Sequence, residues 1–91
     1  MEVRLTYDKD KVDEVCLALL YLTAFGEKHP WSPEMSYRAW KEFDRDVLER
    51  LYKKGYIADP KNNAKSVFFM EGGFGKAREL FEKYFGAEGE E

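Results

Sequence analysis

The stretch KKGYIADPKNNAKSVFFMEGG, residues 53–73, decides the fold. Lys53 and Lys54 put cations at the negative end of a helix, and Gly55 follows where a helix stops. YIAD (56–59) and KSVFFM (65–70) are rich in aromatic and β-branched residues and read as strands, with PKNN (60–63) turning between them. Gly72 and Gly73 then lead into another helix. The layout is a helix end, a β-hairpin and a helix start.

Upstream, Asp44 is an N-cap for a helix that carries Val47, Leu48 and Leu51 inward. Before it, Ser32-Pro33-Glu34 reads as N-cap, N1 proline and first-turn acid. These start a helix whose apolar side is Ala39, Trp40 and Phe43. One continuous bent helix also fits, because Trp40, Phe43, Val47 and Leu51 form a single stripe. GEKHPWSPEM (26–35) is a loop punctuated by Gly26, Pro30 and Pro33. Earlier still, Asp8 or Asp10 caps a helix running to about Phe25, with Val12, Val15, Cys16, Leu19 and Leu20 on one face. A second stripe, Leu17, Tyr21 and Phe25, lies near the opposite face, so this helix is either central or shared with a partner. EVRLTY (2–7) alternates as a short strand. Downstream, Phe74, Ala77, Leu80, Phe81, Tyr84 and Phe85 mark a closing helix, with Gly72, Gly73 and Gly75 weakening its start.

This order predicts an α+β, winged-helix-like domain over residues 1–86: three helices, a two-stranded wing and a closing C-terminal helix. Residues 87–91 read as a disordered acidic tail. The lead-in to the wing is Leu48, Leu51, Gly55, Tyr56 and Ile57. The chain also resembles a family of small bacterial proteins known only as a domain of unknown function. The pieces that carry the resemblance are YDKDKVDE, LALLYLT, RAWK, DVLERL, KGYIADP, AKSV, and EG leading into ELFEKYF, over most of residues 7–85. The resemblance implies a winged-helix-like fold and brings no activity. Two features depart from that family: Met70 and Gly72 stand where a capping Thr and an acid are usual, and the loop GEKHPWSPEMSY is long.

The totals narrow the class. Ninety-one residues make one domain, and 44% hydrophobic with 16% aromatic content is enough for a small core without disulfides. A lone cysteine, Cys16, fits a reducing compartment. The N-terminus is charged, and no apolar run is long enough to span a bilayer, so a cytoplasmic protein without membrane attachment is expected. The net charge of −3 resides in Glu88, Glu90 and Glu91; residues 1–86 sum to zero, while residues 50–65 carry +4.

No catalytic constellation appears, and a non-enzymatic role is expected. His29 lies in a loop far in sequence from Cys16, and one His with one Cys makes no metal set. GGFGKA fails as a phosphate loop, since Met70 occupies the first glycine position and Ala77 follows Lys76. No cofactor is implied.

Two binding roles compete on equal terms. In the first, the helix after Asp44 enters a DNA major groove and the wing touches backbone, with Arg45, Arg50, Lys53, Lys61, Asn62 and Lys65 as contacts. Asp46 and Glu49 oppose it, pairing within the helix with Arg50 and Lys53. In the second, the chain binds itself or another protein, with Leu17, Tyr21 and Phe25 at a homodimer interface. Trp40 reads as core, and Trp31 is open to either assignment. Whether the +4 segment converges in space or is neutralised distinguishes the two roles.

Overall fold

Local capping signals set most of the helix boundaries. The computed structural model describes residues 6–28 and 35–87. Its elements in chain order are α1 (Lys9–Leu22), β1 (Phe25–Lys28), β2 (Met35–Trp40), α2 (Arg45–Lys53), β3 (Ser66–Phe68) and α3 (Gly73–Phe85). Asp8 caps α1, its carboxylate accepting from the Lys11 amide at 3.2 Å. Asp44 caps α2 in the same way through the Asp46 amide at 3.0 Å. Gly55, at φ +86°, ends α2 in the left-handed region that disfavours side-chain-bearing residues. The Gly55 amide donates to the Tyr52 carbonyl and the Tyr56 amide to the Leu51 carbonyl, the double closure of a Schellman end.

The three strands form one antiparallel sheet in the order β1-β2-β3. Arg38 sits in the middle of a cross-strand row, opposite Phe25 on one side and Phe68 on the other. Beyond β3, Ile57 bridges Phe69, and the Ala58 amide donates to the Phe68 carbonyl at 2.9 Å. The expected two-stranded hairpin of YIAD with KSVFFM is thus reduced to a single bridge at the end of this sheet, and YIAD is not a strand.

α1 is central. Leu17, Ala18 and Leu20 are fully buried, and α1 packs on α3, on α2 and on the inner face of β2. Ala39 and Val67 point inward from the sheet to join Val47, Leu48, Leu51, Ile57, Ala77 and Leu80 in one core. Each buried leucine contributes about 1.5–3 kcal/mol relative to an exposed one. Aromatic rings seal the α1–α3 side: Tyr21 lies 5.3 Å from Phe74 and 5.4 Å from Phe81, and Tyr37 of β2 stacks on Phe74 at 3.9 Å.

Several expectations are corrected. Residues 35–40 form a strand, not part of a second helix, because MSYRAW alternates: Tyr37 and Ala39 face the core while Arg38 and Trp40 face out. The Ser32-Pro33-Glu34 start signal lies outside the described residues. The described residues are thus α+β with three helices and a small three-stranded sheet, in place of the four helices expected. Part of the expected loop 26–35 is β1 and the start of β2, and α1 stops at Leu22 instead of Phe25. Trp40 is 46% exposed and is not core. Residues 2–5 of the expected first strand, Trp31, His29 and residues 88–91 of the tail fall outside the described residues; Thr6 and Tyr7 are not in a strand.

Candidate functional site

The basic segment does not gather into one phosphate-facing surface. Arg50 turns away from solvent toward Asp13 of α1, donating from Nε to both carboxylate oxygens at 3.0 and 2.8 Å and from Nη2 to Oδ1 at 2.8 Å. Lys54 adds a bond to Asp13 Oδ2 at 3.0 Å and one to Asp10 at 2.9 Å. Asp13 is only 1% exposed, so its charge is held inside by these two cations. Burial pushes the Asp13 carboxyl up, and the hydrogen bonds from Arg50 and Lys54 overcome that and hold it below the usual carboxylate range. The same bonds pin α1 to the C-terminal half of α2.

Asn62 is also committed to structure. Its Oδ1 accepts from the Ala64 amide at 2.8 Å and from the Lys41 ammonium at 2.9 Å, and its Nδ2 donates to the Asp59 carbonyl. Lys41 donates further to the Pro60 and Asn62 carbonyls at 2.7 and 3.3 Å, so one ammonium gathers the 59–64 loop around itself. Lys61 and Lys53 both approach Glu49, at 3.5 and 4.0 Å. Arg45 and Lys65 project into solvent. Of the six residues singled out for nucleic acid, Arg50 and Asn62 are engaged in hydrogen bonds within the chain. The +4 segment is largely neutralised, through Asp10, Asp13 and Glu49.

The residues singled out for a dimer also separate. Leu17 is fully buried within the monomer and is unavailable to a second chain. Tyr21 packs into the α1–α3 ring cluster. Phe25 differs from both: it stands on the outer face of the sheet, 5.4 Å from the Trp40 ring. Next to it the Arg38 guanidinium lies 5.6 Å from the Phe25 ring and 4.9 Å from the Phe68 ring, within cation–π range of both. Phe68 is 41% exposed, and Met70, 48% exposed, lies two residues beyond it. Helices cover the inner face of the sheet, while the outer face presents Phe25, Trp40 and Phe68 around one arginine. Sequence reasoning missed Arg38 and misplaced Trp40; the alternation in MSYRAW was the signal that held them.

Residues 8–87 match the family described as Domain of unknown function (DUF6429). The chain belongs to that family. A relative from Sinorhizobium fredii (strain NBRC 101917 / NGR234), "Uncharacterized protein y4hR", is 38% identical over 78 residues. The shared region covers 86% of this chain and 93% of that protein. No solved structure matches this DUF6429 chain. The matched span takes in all of the named elements, and so both the Asp13 cluster and the outer sheet face.

No group of three or more His, Cys, Asp or Glu side chains is arranged to hold a metal among the described residues. Burial first, and then the Asp13 charge, pushes the Cys16 thiol up, opposite to the shift that activates a nucleophile. No helix among the described residues is long and apolar enough to cross a membrane.

Proposed function

We propose that the chain is a non-enzymatic, cytoplasmic association module that forms a homodimer through the outer face of its sheet. The observation that carries this reading is the contiguous set of Phe25, Trp40 and Phe68 around Arg38, on the face opposite α1 and α3. A sheet ordinarily buries both faces or solvates one with polar side chains. Here the open face carries aromatics and an arginine, the residue types that anchor interfaces. A second copy is the simplest cover, because a two-fold contact asks only that the patch complement itself. The Arg38 charge is spread between two rings of its own chain, so facing copies need not press bare cations together.

Sedimentation equilibrium over the micromolar range tests this. The expected result is a dimer in which Phe68→Glu costs about 2 kcal/mol, the level of an interface hot spot, or roughly 30-fold in dissociation constant. The variant keeps the helical circular-dichroism signal, since Phe68 is outside the core. A wild-type chain that stays monomeric at the highest concentration overturns the proposal.

A winged-helix reading with duplex DNA as partner has some support, from α2 followed by the bridge between Ile57 and Phe69. It is the weaker one, because Arg50, Lys54 and Asn62 are engaged within the chain. With Arg45 and Lys65 as its main free cations, the slope of log K against log salt is expected to be no steeper than about −2. Fluorescence anisotropy with a labelled duplex reads this directly, and a steep slope or sequence-selective binding favours DNA over the dimer.

A further inference from the structure

We infer that the groove between α2 and the 59–64 loop is a separate binding site for a small organic anion with a flat aromatic body. The groove has a volume of about 540 Å³, within the range of small-molecule sites. Phe43, Leu48 and Pro60 supply apolar surface, and Arg45 and Lys61 stand on its rim. Lys41, Arg45 and Lys61 against Glu49 give the lining a net charge of +2, in a chain whose total is −3. That local excess sets the sign of the ligand.

Both walls are built before any ligand arrives. One is the capped helix α2. The other is the loop, closed on the Lys41 ammonium through three oxygens at 2.7–3.3 Å and on Asp59, whose Oδ1 accepts from the Lys61 amide at 2.9 Å. All three protons of Lys41 are used in this way, so it contributes charge and no free donor. Arg45 has no ion-pair or hydrogen-bond partner among the described residues. Its planar fork suits a carboxylate or a phosphate, while the aromatic body lies against Phe43 and Pro60. Lys61 is 3.5 Å from Glu49 with both side chains in contact with solvent, a weak pair that an incoming anion can exchange. The site is on a different surface from the outer sheet face, so it stands or falls separately from the proposed dimer.

The test is a titration of the full ¹⁵N-labelled chain, followed by amide chemical shifts, with benzoate and phenyl phosphate as probes. It is run on Phe68→Glu protein so that self-association does not contribute. Saturable shifts are expected at Arg45, Leu48, Asn62 and Ala64 with either probe, or with one, which identifies the anion type. Neutral benzamide and inorganic phosphate, each carrying half of the required chemistry, bind at least about tenfold more weakly, as does Arg45→Gln, because each loses the charge-assisted fork or the apolar contact. Arg45→Gln leaves the amide positions of the sheet unchanged. The inference is overturned by an absence of saturable shifts, by shifts confined to the sheet face, by benzamide binding as tightly as the anions, or by equal affinity in Arg45→Gln.

Discussion

Arg50→Ala is expected to destabilise the protein by about 3 kcal/mol at neutral pH, the lower end of the cost of breaking a buried ion pair. The lower end applies because the Arg50 side chain is itself 27% exposed, whereas its partner Asp13 is 1% exposed. Removing Arg50 strips three hydrogen bonds from a carboxylate that water barely reaches, leaving Lys54 as its cation. For a chain of this size that loss lowers Tm on the order of 10–20 °C.

The pH dependence separates this cause from simple loss of packing. Asp13 has its carboxyl held below the usual range in the folded protein, so the stability it contributes is present above the unfolded carboxylate value, about 3.9. That stability is lost as pH falls through the depressed folded value. In Arg50→Ala the burial that raises the carboxyl is less opposed, so Asp13 takes up its proton at higher pH. The gap between wild type and variant is therefore widest near neutrality and shrinks as acid protonates Asp13 in both. Thermal unfolding at pH 7 and near pH 3 measures the two gaps; equal gaps would mean that the aliphatic stem of Arg50, not its charge, is responsible. Replacing both partners, Asp13→Leu with Arg50→Met, is expected to recover most of the loss, because no buried charge is then left unpaired.

Gly73→Ala is expected to cost about 3 kcal/mol, the upper end for overpacking, although alanine is the better helix former. A Cβ at position 73 would fall on the backbone carbonyl of Tyr56. That carbonyl is fixed, since it accepts from the Met70 amide at 2.9 Å where residues 56–58 run beside the end of β3. Neither segment can yield without breaking the bridge at the end of the sheet, so α3 must shift as a body. Gly75→Ala is the control: a Cβ there meets nothing within 4 Å. It should be neutral or slightly stabilising. Urea unfolding of the two variants decides the matter, and similar midpoints would remove the close-approach argument.

The parts of the fold legible in the sequence were those written locally. Asp8 and Asp44 as caps, Gly55 as a stop, and the aromatic period of α3 all involve residues within a few positions of one another, and each appears where the pattern puts it. β2 was lost because Ser32-Pro33-Glu34 is a strong local helix signal, whereas a strand gains its stability from neighbours. One of those neighbours, FGEK, has a glycine and two charged residues in four positions and carries no strand pattern of its own. Position on a helix gave the wrong direction for Arg50: the Asp46 four residues earlier was the visible partner, while the actual one, Asp13, lies 37 residues away. The outer sheet face was hidden for the same reason, since its row joins Phe25, Arg38 and Phe68 from three separate strands.

The packing of α1 on α3 has a consequence for how the chain comes into being. α1 completes its core against α3, with the Glu14 carboxylate accepting from the Tyr84 hydroxyl at 2.6 Å across 70 residues. A nascent chain emerging from the ribosome would therefore hold Leu17 and Leu20 without their full cover until α3 has been made. Contacts this distant in sequence are paid for in loop entropy before they return any stability. The domain is expected to acquire its structure all at once, when α3 has emerged, and a chain stopped short of Tyr84 would be a target for proteolysis.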